Sequence, residues 1–439
     1  MRDRFVRPKV EEWVHAIQVL AKIAGRYPQA AYAGFCRSLQ SEWTYLSRAV
    51  AGVEEHLQPV EDAIREFLLP ALLRCRPEEI DDDFRRLLSH GVKQGGVNVR
   101  NPVEAAPRLR QTSLAAGGLL AAAIVDGTAV NMEDHADCVK EAGAKARMWR
   151  VQAEEDFVGV LSSAAPAPVK KRLARIGLTG AWLTVMPSFL AGTLLSALEF
   201  FDNLALRYGR RPLDLQQRCD ACNEGFTIEH GLICKKGGLI AIAHDDLRDE
   251  AGYLCEKALT PSQVNYEPKI QYGRGLTAGT AIPREGEPGN EARGDVMAHG
   301  LWKKGTACVL DTQILHTDAR GYSATTSANN LEAAARAKKR KYLAACLEQR
   351  RSFMPLIYSA DGMAAKESKA FEKRVAALLS AKWNRSYSEM CGWVRSRMCL
   401  AVVRSNSQKL RGSRTRKAWR PDITDGATLG ARGDREIRD

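Results

Sequence analysis

Residues 219–234 read Cys-Asp-Ala-Cys-Asn-Glu-Gly-Phe-Thr-Ile-Glu-His-Gly-Leu-Ile-Cys. Four thiol or imidazole groups, Cys219, Cys222, His230 and Cys234, therefore fall within sixteen residues. A zinc ion takes four nitrogen or sulfur ligands in a tetrahedron, and two cysteines separated by two residues form the usual first half of such a site. The short gap to His230 and Cys234 lets the second half close around the same ion. A knuckle of this size seldom does chemistry; more often it holds a nucleic-acid-binding element in place. His244, ten residues beyond Cys234, is a rival for the imidazole position.

The surrounding chain is ordinary globular material, 45% hydrophobic and 27% charged over 439 residues, long enough for two to four domains. Its formal net charge of +13 favours a polyanionic partner, DNA or RNA first among them. The eleven cysteines show no regular framework outside the cluster, and the N-terminal residues lack the apolar stretch of a signal peptide. A reducing intracellular compartment, the nucleus first, is the expected location. Residues 176–198 carry no charge, but Pro187, three glycines and several hydroxyl side chains argue for a buried helix–turn–helix rather than a membrane span.

Hydrophobic spacing places Val10, Trp13, Val14, Ile17, Leu20, Ala21 and Ala24 on one helical face, and similar patterns continue to about residue 90. The run 114–125 reads as a core helix, and 162–168 as a linker. After the cysteine cluster come a helix at 240–259, a Gly/Pro-rich loop at about 272–294 and strands near 295–300 and 307–315 joined at Lys303-Lys304-Gly305. A basic helix at 330–350, a strand at 353–359 and helices at 365–384 and 386–404 follow. The tail beyond 404 reads as polar and basic.

Asp295 and Asp311 form a second constellation. Strand alternation puts Val309, Asp311 and Gln313 on one face. A carboxylate in mid-strand between Val and Leu is locally unfavourable, and a second one at the neighbouring strand end suggests a pair of oxygen ligands for Mg²⁺. On the following helix Lys338, Lys341 and Tyr342 share a face. A lysine beside two carboxylates can steady the charge of a phosphoryl transition state or orient the attacking water, the logic of a metal-dependent nuclease. An opposed reading treats 336–341 as a solvated basic face. Carboxylates within about 4–6 Å of each other, with a lysine turned toward them, would favour the nuclease.

His244 fits three roles: a first-helix member of that site, a zinc ligand, or a locally satisfied helix-start residue. His299 and His316 flank the carboxylates and could shuttle protons, or simply lie near strand ends. His15, His56, His90 and His135 read as structural. Residues 404–420 hold seven Lys/Arg and no acid, with Trp419 among them, a composition suited to tracking phosphates or to nuclear import.

Cys219…Cys222…His230…Cys234-Lys-Lys-Gly-Gly-Leu-Ile…His244-Asp-Asp-Leu-Arg248-Asp249 resembles the C-terminal part of non-LTR retrotransposon polyproteins, in which a reverse transcriptase is followed by a zinc knuckle and a restriction-like endonuclease. Ala292-Arg-Gly-Asp295-Val, His299-Gly-Leu-Trp302, Leu310-Asp311-Thr-Gln-Ile, Ala337-Lys-Lys-Arg-Lys-Tyr342 and Ser359-Ala-Asp-Gly-Met363 extend the resemblance, as does Arg26-Tyr27-Pro28 upstream. The resemblance implies an α+β chain. A mostly helical, thumb-like region (1–161) leads through a linker and helical segment (162–215) to a CCHC zinc knuckle (216–238). A PD-(D/E)xK-type α/β domain with a central mixed sheet flanked by helices (239–404) and a basic tail (405–439) follow.

It further implies Asp295 and Asp311 as catalytic metal ligands, structural Zn²⁺, catalytic Mg²⁺, and nicking of target DNA so that the free 3′ end primes reverse transcription. Lys235, Lys236, Arg411, Arg414, Arg416 and Lys417 are the expected nucleic-acid contacts. Two departures stand out. The family's lysine position holds Gln313, so Lys338 or Lys341 must substitute. No Tyr-x-Asp-Asp polymerase box occurs, and Asp81-Asp82-Asp83 lacks its aromatic lead, so the chain is expected to be a C-terminal portion without polymerase activity. The alternative is a non-catalytic zinc-knuckle protein that binds nucleic acid; a structural zinc protein with a protein partner is a third reading.

Overall fold

The computed structural model describes residues 2–270 and 292–415. The chain is α+β: mostly helical, with one small mixed sheet. It divides into two compact units, one running to Phe189 and including Leu194–Ala205, the other formed by Leu190–Thr193 and the chain from Leu206 on.

The first unit contains helices α1 (Arg2–Ala24), α2 (Pro28–Gly34), α3 (Gln40–Ala49), α4 (Gln58–Ala63), α5 (Leu69–Leu73), α6 (Asp82–Ser89), α7 (Pro102–Asp126), α8 (Met132–Ala164) and α9 (Ala167–Ile176). Single π turns at Phe35–Leu39 and Ile64–Leu68 join α2 to α3 and α4 to α5. The heptad-like spacing of α1 works as expected: Val10, Trp13, Ile17 and Ala24 are buried, and Trp13 meets Trp43 of α3 edge-on at 5.8 Å. Asp81, from the acidic triplet, caps α6 by accepting the Phe84 N–H at 2.7 Å, a local role that explains its presence. Within this core Arg85 forms a two-pronged ion pair with Glu61, at 2.7 and 2.6 Å.

Three expectations fail in this region. Residues 162–164 complete α8, so the supposed linker shrinks to the junction Ala165-Pro166. The run 114–125 is helical but not core: Ile124 is 72% and Val125 84% exposed. It is the outer half of α7, which pairs with α8 as an antiparallel hairpin, the Arg108 guanidinium lying 4.1 Å over the Trp149 ring. Its leucines and alanines supply helix propensity there rather than burial. The uncharged stretch 176–198 is not a helix–turn–helix; after α9 it holds only one 3₁₀ turn, Ala181–Thr184, before α10 (Ala197–Arg207). Its glycines and Pro187 interrupt any longer helix. Among the described residues no helix is long and apolar enough to cross a membrane.

His90 is the buried histidine of this unit, 4% exposed with its ring edge-on to Phe157 at 5.2 Å. Burial, with the Arg86 charge second, pushes its pKa down to about 4. Between that value and the ordinary 6.5 the unfolded chain binds the proton and the folded chain does not. Stability is therefore complete above about pH 6.5 and falls toward pH 4, by on the order of 3 kcal/mol. Melting temperatures measured across that window are expected to drop in the native protein and to drop distinctly less in His90→Phe.

The second unit is built on strands β1 (Val264–Tyr266), β2 (Val296–His299), β3 (Ala307–Leu315) and β4 (Ser352–Ser359), in the spatial order β1-β2-β3-β4. The first two pairings are antiparallel and β3·β4 is parallel, with Asp311 opposite Pro355. Helix α13 (Ser327–Glu348) makes the parallel crossover. Alternation along the strands divides the core. Leu310, Leu356 and Tyr358 join Leu247, Leu254, Phe371, Val375, Val394 and Met398 from α12 (Leu239–Ala258), α14 (Lys366–Trp383) and α15 (Tyr387–Arg411). Val309 and Phe353 take the other face, against Tyr342 and Cys346 of α13. The sheet is thus sandwiched between helices. The strands and helices expected downstream of residue 295 are present; β1 was not foreseen, because three residues are too few to show a period.

Candidate metal centres

The cysteine cluster assembles from a turn and a short helix. Cys219 and Cys222 lie on a tight loop in which the Cys219 N–H donates to Glu224 O and the Asn223 N–H to Cys219 O, both at 2.9 Å. Thr227 then caps α11 (Ile228–Ile233) through the His230 N–H. His230 and Cys234, four residues apart, share one face of that turn. Cys219 Sγ lies 4.0 Å from Cys234 Sγ, and Cys222 Sγ 3.3 Å from His230 Nε2. Tetrahedral zinc with ordinary bond lengths separates two sulfurs by about 3.8 Å, and sulfur from nitrogen by about 3.5 Å. The four residues could hold a zinc ion, and their donor atoms all lie within 4.8 Å of one another. His230 Nδ1 faces Glu224 Oε2 at 3.1 Å, the outer carboxylate that orients a ligating imidazole. Burial alone would raise the Cys219 thiol, but the Ala221 and Cys222 N–H groups and His230 bring it down to about 6, which favours the thiolate a metal needs.

The knuckle does not stand apart from the second unit. Leu232 and Phe226 pack with Leu410 at the end of α15, and Asp220 accepts from the Arg414 N–H (2.7 Å) and the Ser413 hydroxyl (2.8 Å). The Arg414 guanidinium lies over the Phe226 ring at 5.2 Å and donates to Gly231 O at 2.9 Å. Gly237 has φ +75°, and a Cβ there would fall 2.3 Å from Arg414 Cα. Arg414, 3% exposed, is therefore a clasp on the knuckle and not a phosphate contact. Arg411 belongs to α15 rather than to a loose tail and donates to Leu213 O at 3.0 Å. Lys235 and Lys236, just past Cys234, are both exposed. Arg416 and Lys417 lie outside the described residues.

A second group forms where β2 begins. The Asp295 N–H pairs with Leu310 O at 3.0 Å, which sets its side chain beside β3. Its Oδ2 accepts from the Thr312 N–H and from Thr312 Oγ1. His244 of α12 brings Nε2 to 3.1 Å from the same oxygen. Asp311 lies in β3, and Lys338 of α13 reaches it with Nζ 2.8 Å from Oδ2. Donor atoms of His244, Asp295 and Asp311 lie within 4.8 Å of one another, so the two carboxylates meet the distance criterion and a lysine is turned toward them. Asp295 and Asp311 are 8% and 4% exposed. Burial raises the Asp311 carboxyl, Lys338 opposing and Asp295 reinforcing the shift. Burial acts the same way on Asp295, but His244 and the Thr312 donors outweigh it and hold that carboxyl down.

This geometry settles several open choices. Lys338 is the lysine at the carboxylates. Lys341, one turn on, lies over the Tyr342 ring at 4.7 Å and is exposed, so it does not belong there. Gln313 is half-buried, two residues beyond Asp311 on the same strand. His244 pairs with Asp295 and is no rival for the cysteine cluster. His299 is exposed at the end of β2 opposite Asp295. His316 stands past the far end of β3, about 16 Å along the strand from Asp311, where burial lowers its pKa among Asp318, Glu229 and Asp361. Neither histidine reaches the carboxylates. Thr312 is the site residue that sequence reasoning missed. Its signal, a hydroxyl on the strand face opposite Asp311, has no meaning until Asp295 is placed. Compared with known protein families and with curated proteins, the chain matches none.

Proposed function

We propose that this chain is a DNA-binding, divalent-metal-dependent endonuclease module of the retrotransposon restriction-like kind, with a PD-(D/E)xK-type sheet and a zinc knuckle. The observation that carries the reading is the convergence of Asp295, Asp311 and Lys338, from three separate elements, on one buried spot. Asp295 and Asp311 would hold the ion, which when bound supplies Lewis acidity toward a phosphodiester and a more acidic water. Thr312 fixes the Asp295 carboxylate through two donors, and Lys338 offers an ammonium to the negative charge that builds on the phosphoryl oxygens. Water oxygen bonds to phosphorus and gives a proton to solvent, the P–O3′ bond breaks, and the leaving oxygen takes a proton from solvent to become the free 3′ hydroxyl. Lys235 and Lys236 beside the knuckle are suited to phosphate contacts.

Gln313, where the related pattern has lysine, favours a second reading: a nucleic-acid-binding protein that no longer cuts. Nicking of supercoiled plasmid with added Mg²⁺ or Mn²⁺ separates the two. The endonuclease reading expects metal-dependent conversion to open circles, abolished by EDTA and lost in Asp311→Ala. Unchanged nicking in that variant would sink the site assignment. Salt-sensitive DNA binding with no nicking under any metal would leave the second reading.

A further inference from the structure

We propose that His244 is a third protein ligand of the Asp295–Asp311 ion site, and that it biases the site toward manganese-class ions and away from Mg²⁺. The inference rests on the reading that these two carboxylates hold a divalent ion. His244 stands on α12, an element that contributes neither carboxylate, yet its Nε2 comes to 3.1 Å from Asp295 Oδ2. Donor atoms of His244, Asp295 and Asp311 all lie within 4.8 Å of one another, close enough for an ion placed among them to replace the imidazole–carboxylate hydrogen bond.

The other ring nitrogen completes the argument. His244 Nδ1 faces Asp245 Oδ1 at 3.4 Å, and Asp245 is itself held by Arg248 Nη1 at 3.0 Å. A ligating histidine usually presents its second nitrogen to an outer carboxylate in this way, which fixes the tautomer and aims the free lone pair at the ion. The His244 side chain is 35% exposed, against 11% for Asp295 and 5% for Asp311. The imidazole is therefore the most solvent-accessible of the three groups.

Ligand chemistry then selects the ion. Mg²⁺ prefers oxygen donors and keeps several waters, and imidazole adds little to its binding. Mn²⁺, Fe²⁺, Co²⁺ and Zn²⁺ gain from a nitrogen donor. Net charge points the same way. Two carboxylates opposed by Lys338 leave about one negative charge, a weak hold for an ion bound mainly by charge.

The test is Mn²⁺ binding to the full chain without DNA, followed by electron paramagnetic resonance, with the cysteine cluster filled with zinc beforehand and Mg²⁺ added as competitor. The native protein is expected to bind Mn²⁺ far more tightly than Mg²⁺. His244→Ala is expected to lose Mn²⁺ affinity by roughly tenfold or more while Mg²⁺ affinity changes little. His244→Asp, which restores an oxygen donor, is expected to narrow the gap between the two ions. An unchanged Mn²⁺-to-Mg²⁺ ratio in His244→Ala overturns the inference, even if that variant nicks DNA more slowly. Asp311→Ala keeps this apart from the function itself. Binding lost in Asp311→Ala and kept in His244→Ala defeats only the ligand assignment; binding kept in both removes the ion site altogether.

Discussion

Chelating zinc from the Cys219–Cys222–His230–Cys234 cluster is expected to lower the unfolding temperature of the second unit by roughly 10 °C. Ligand bound a thousandfold above its dissociation constant contributes about 4 kcal/mol, and 1 kcal/mol moves a unit of this size by about 2–4 °C. The effect should extend beyond the knuckle because the end of α15 is packed on it. Leu410 joins its apolar cluster, and Arg414 and Ser413 are tied to Asp220. Without the ion one thiol–thiol contact and one thiol–imidazole contact replace four bonds, and the Arg414 clasp loses the rigid loop it closes on. Cys219→Ser should reproduce the chelated state, with less than one zinc per chain by elemental analysis. A melting curve indifferent to chelator, at full zinc occupancy beforehand, would show that the sheet and α12 hold the unit without the knuckle.

Asp311→Asn is expected to separate activity from stability. On the proposed endonuclease reading, loss of one charged oxygen ligand, together with the anchor for Lys338, should cut metal-dependent nicking by about 10³-fold or more. The melting temperature should stay level or rise, by up to about 1 kcal/mol in stability. The sign follows from the environment. Burial and the Asp295 charge raise the Asp311 carboxyl while Lys338 only partly offsets them, and a carboxyl whose pKa folding has raised costs stability once it is ionised at neutral pH. Asparagine keeps the shape and removes the charge, and Lys338, 22% exposed, can turn to water. A variant that instead melts well below the native protein would mark Asp311 as a structural partner of Lys338.

Much of the second unit was legible because its signals are local. The limits of β3, the Lys303–Gly305 turn and the α13 crossover follow from period-two and period-3.6 patterns over eight or more residues. Cys219, Cys222, His230 and Cys234 are spaced closely enough that one turn and one short helix bring them together. The first unit was harder. Residues 114–125 have the composition of a core helix, but composition does not say whether a neighbour exists to cover it. A Ser/Ala/Pro run at 162–168 looks like a linker until α8 is seen to run to Ala164 and α9 to begin at Ala167.

The sequence by itself determined the cysteine cluster, the pair Asp295 and Asp311, and a lysine somewhere in 338–341, since each of these rests on residue type and short spacing. Tertiary structure alone decided that Lys338 rather than Lys341 meets the carboxylates, that His244 belongs with Asp295, and that Arg414 closes over the knuckle. Those outcomes depend on how α12, α13 and the end of α15 pack on the sheet. Packing angle and register come from burial summed over many distant residues, and no local pattern encodes them.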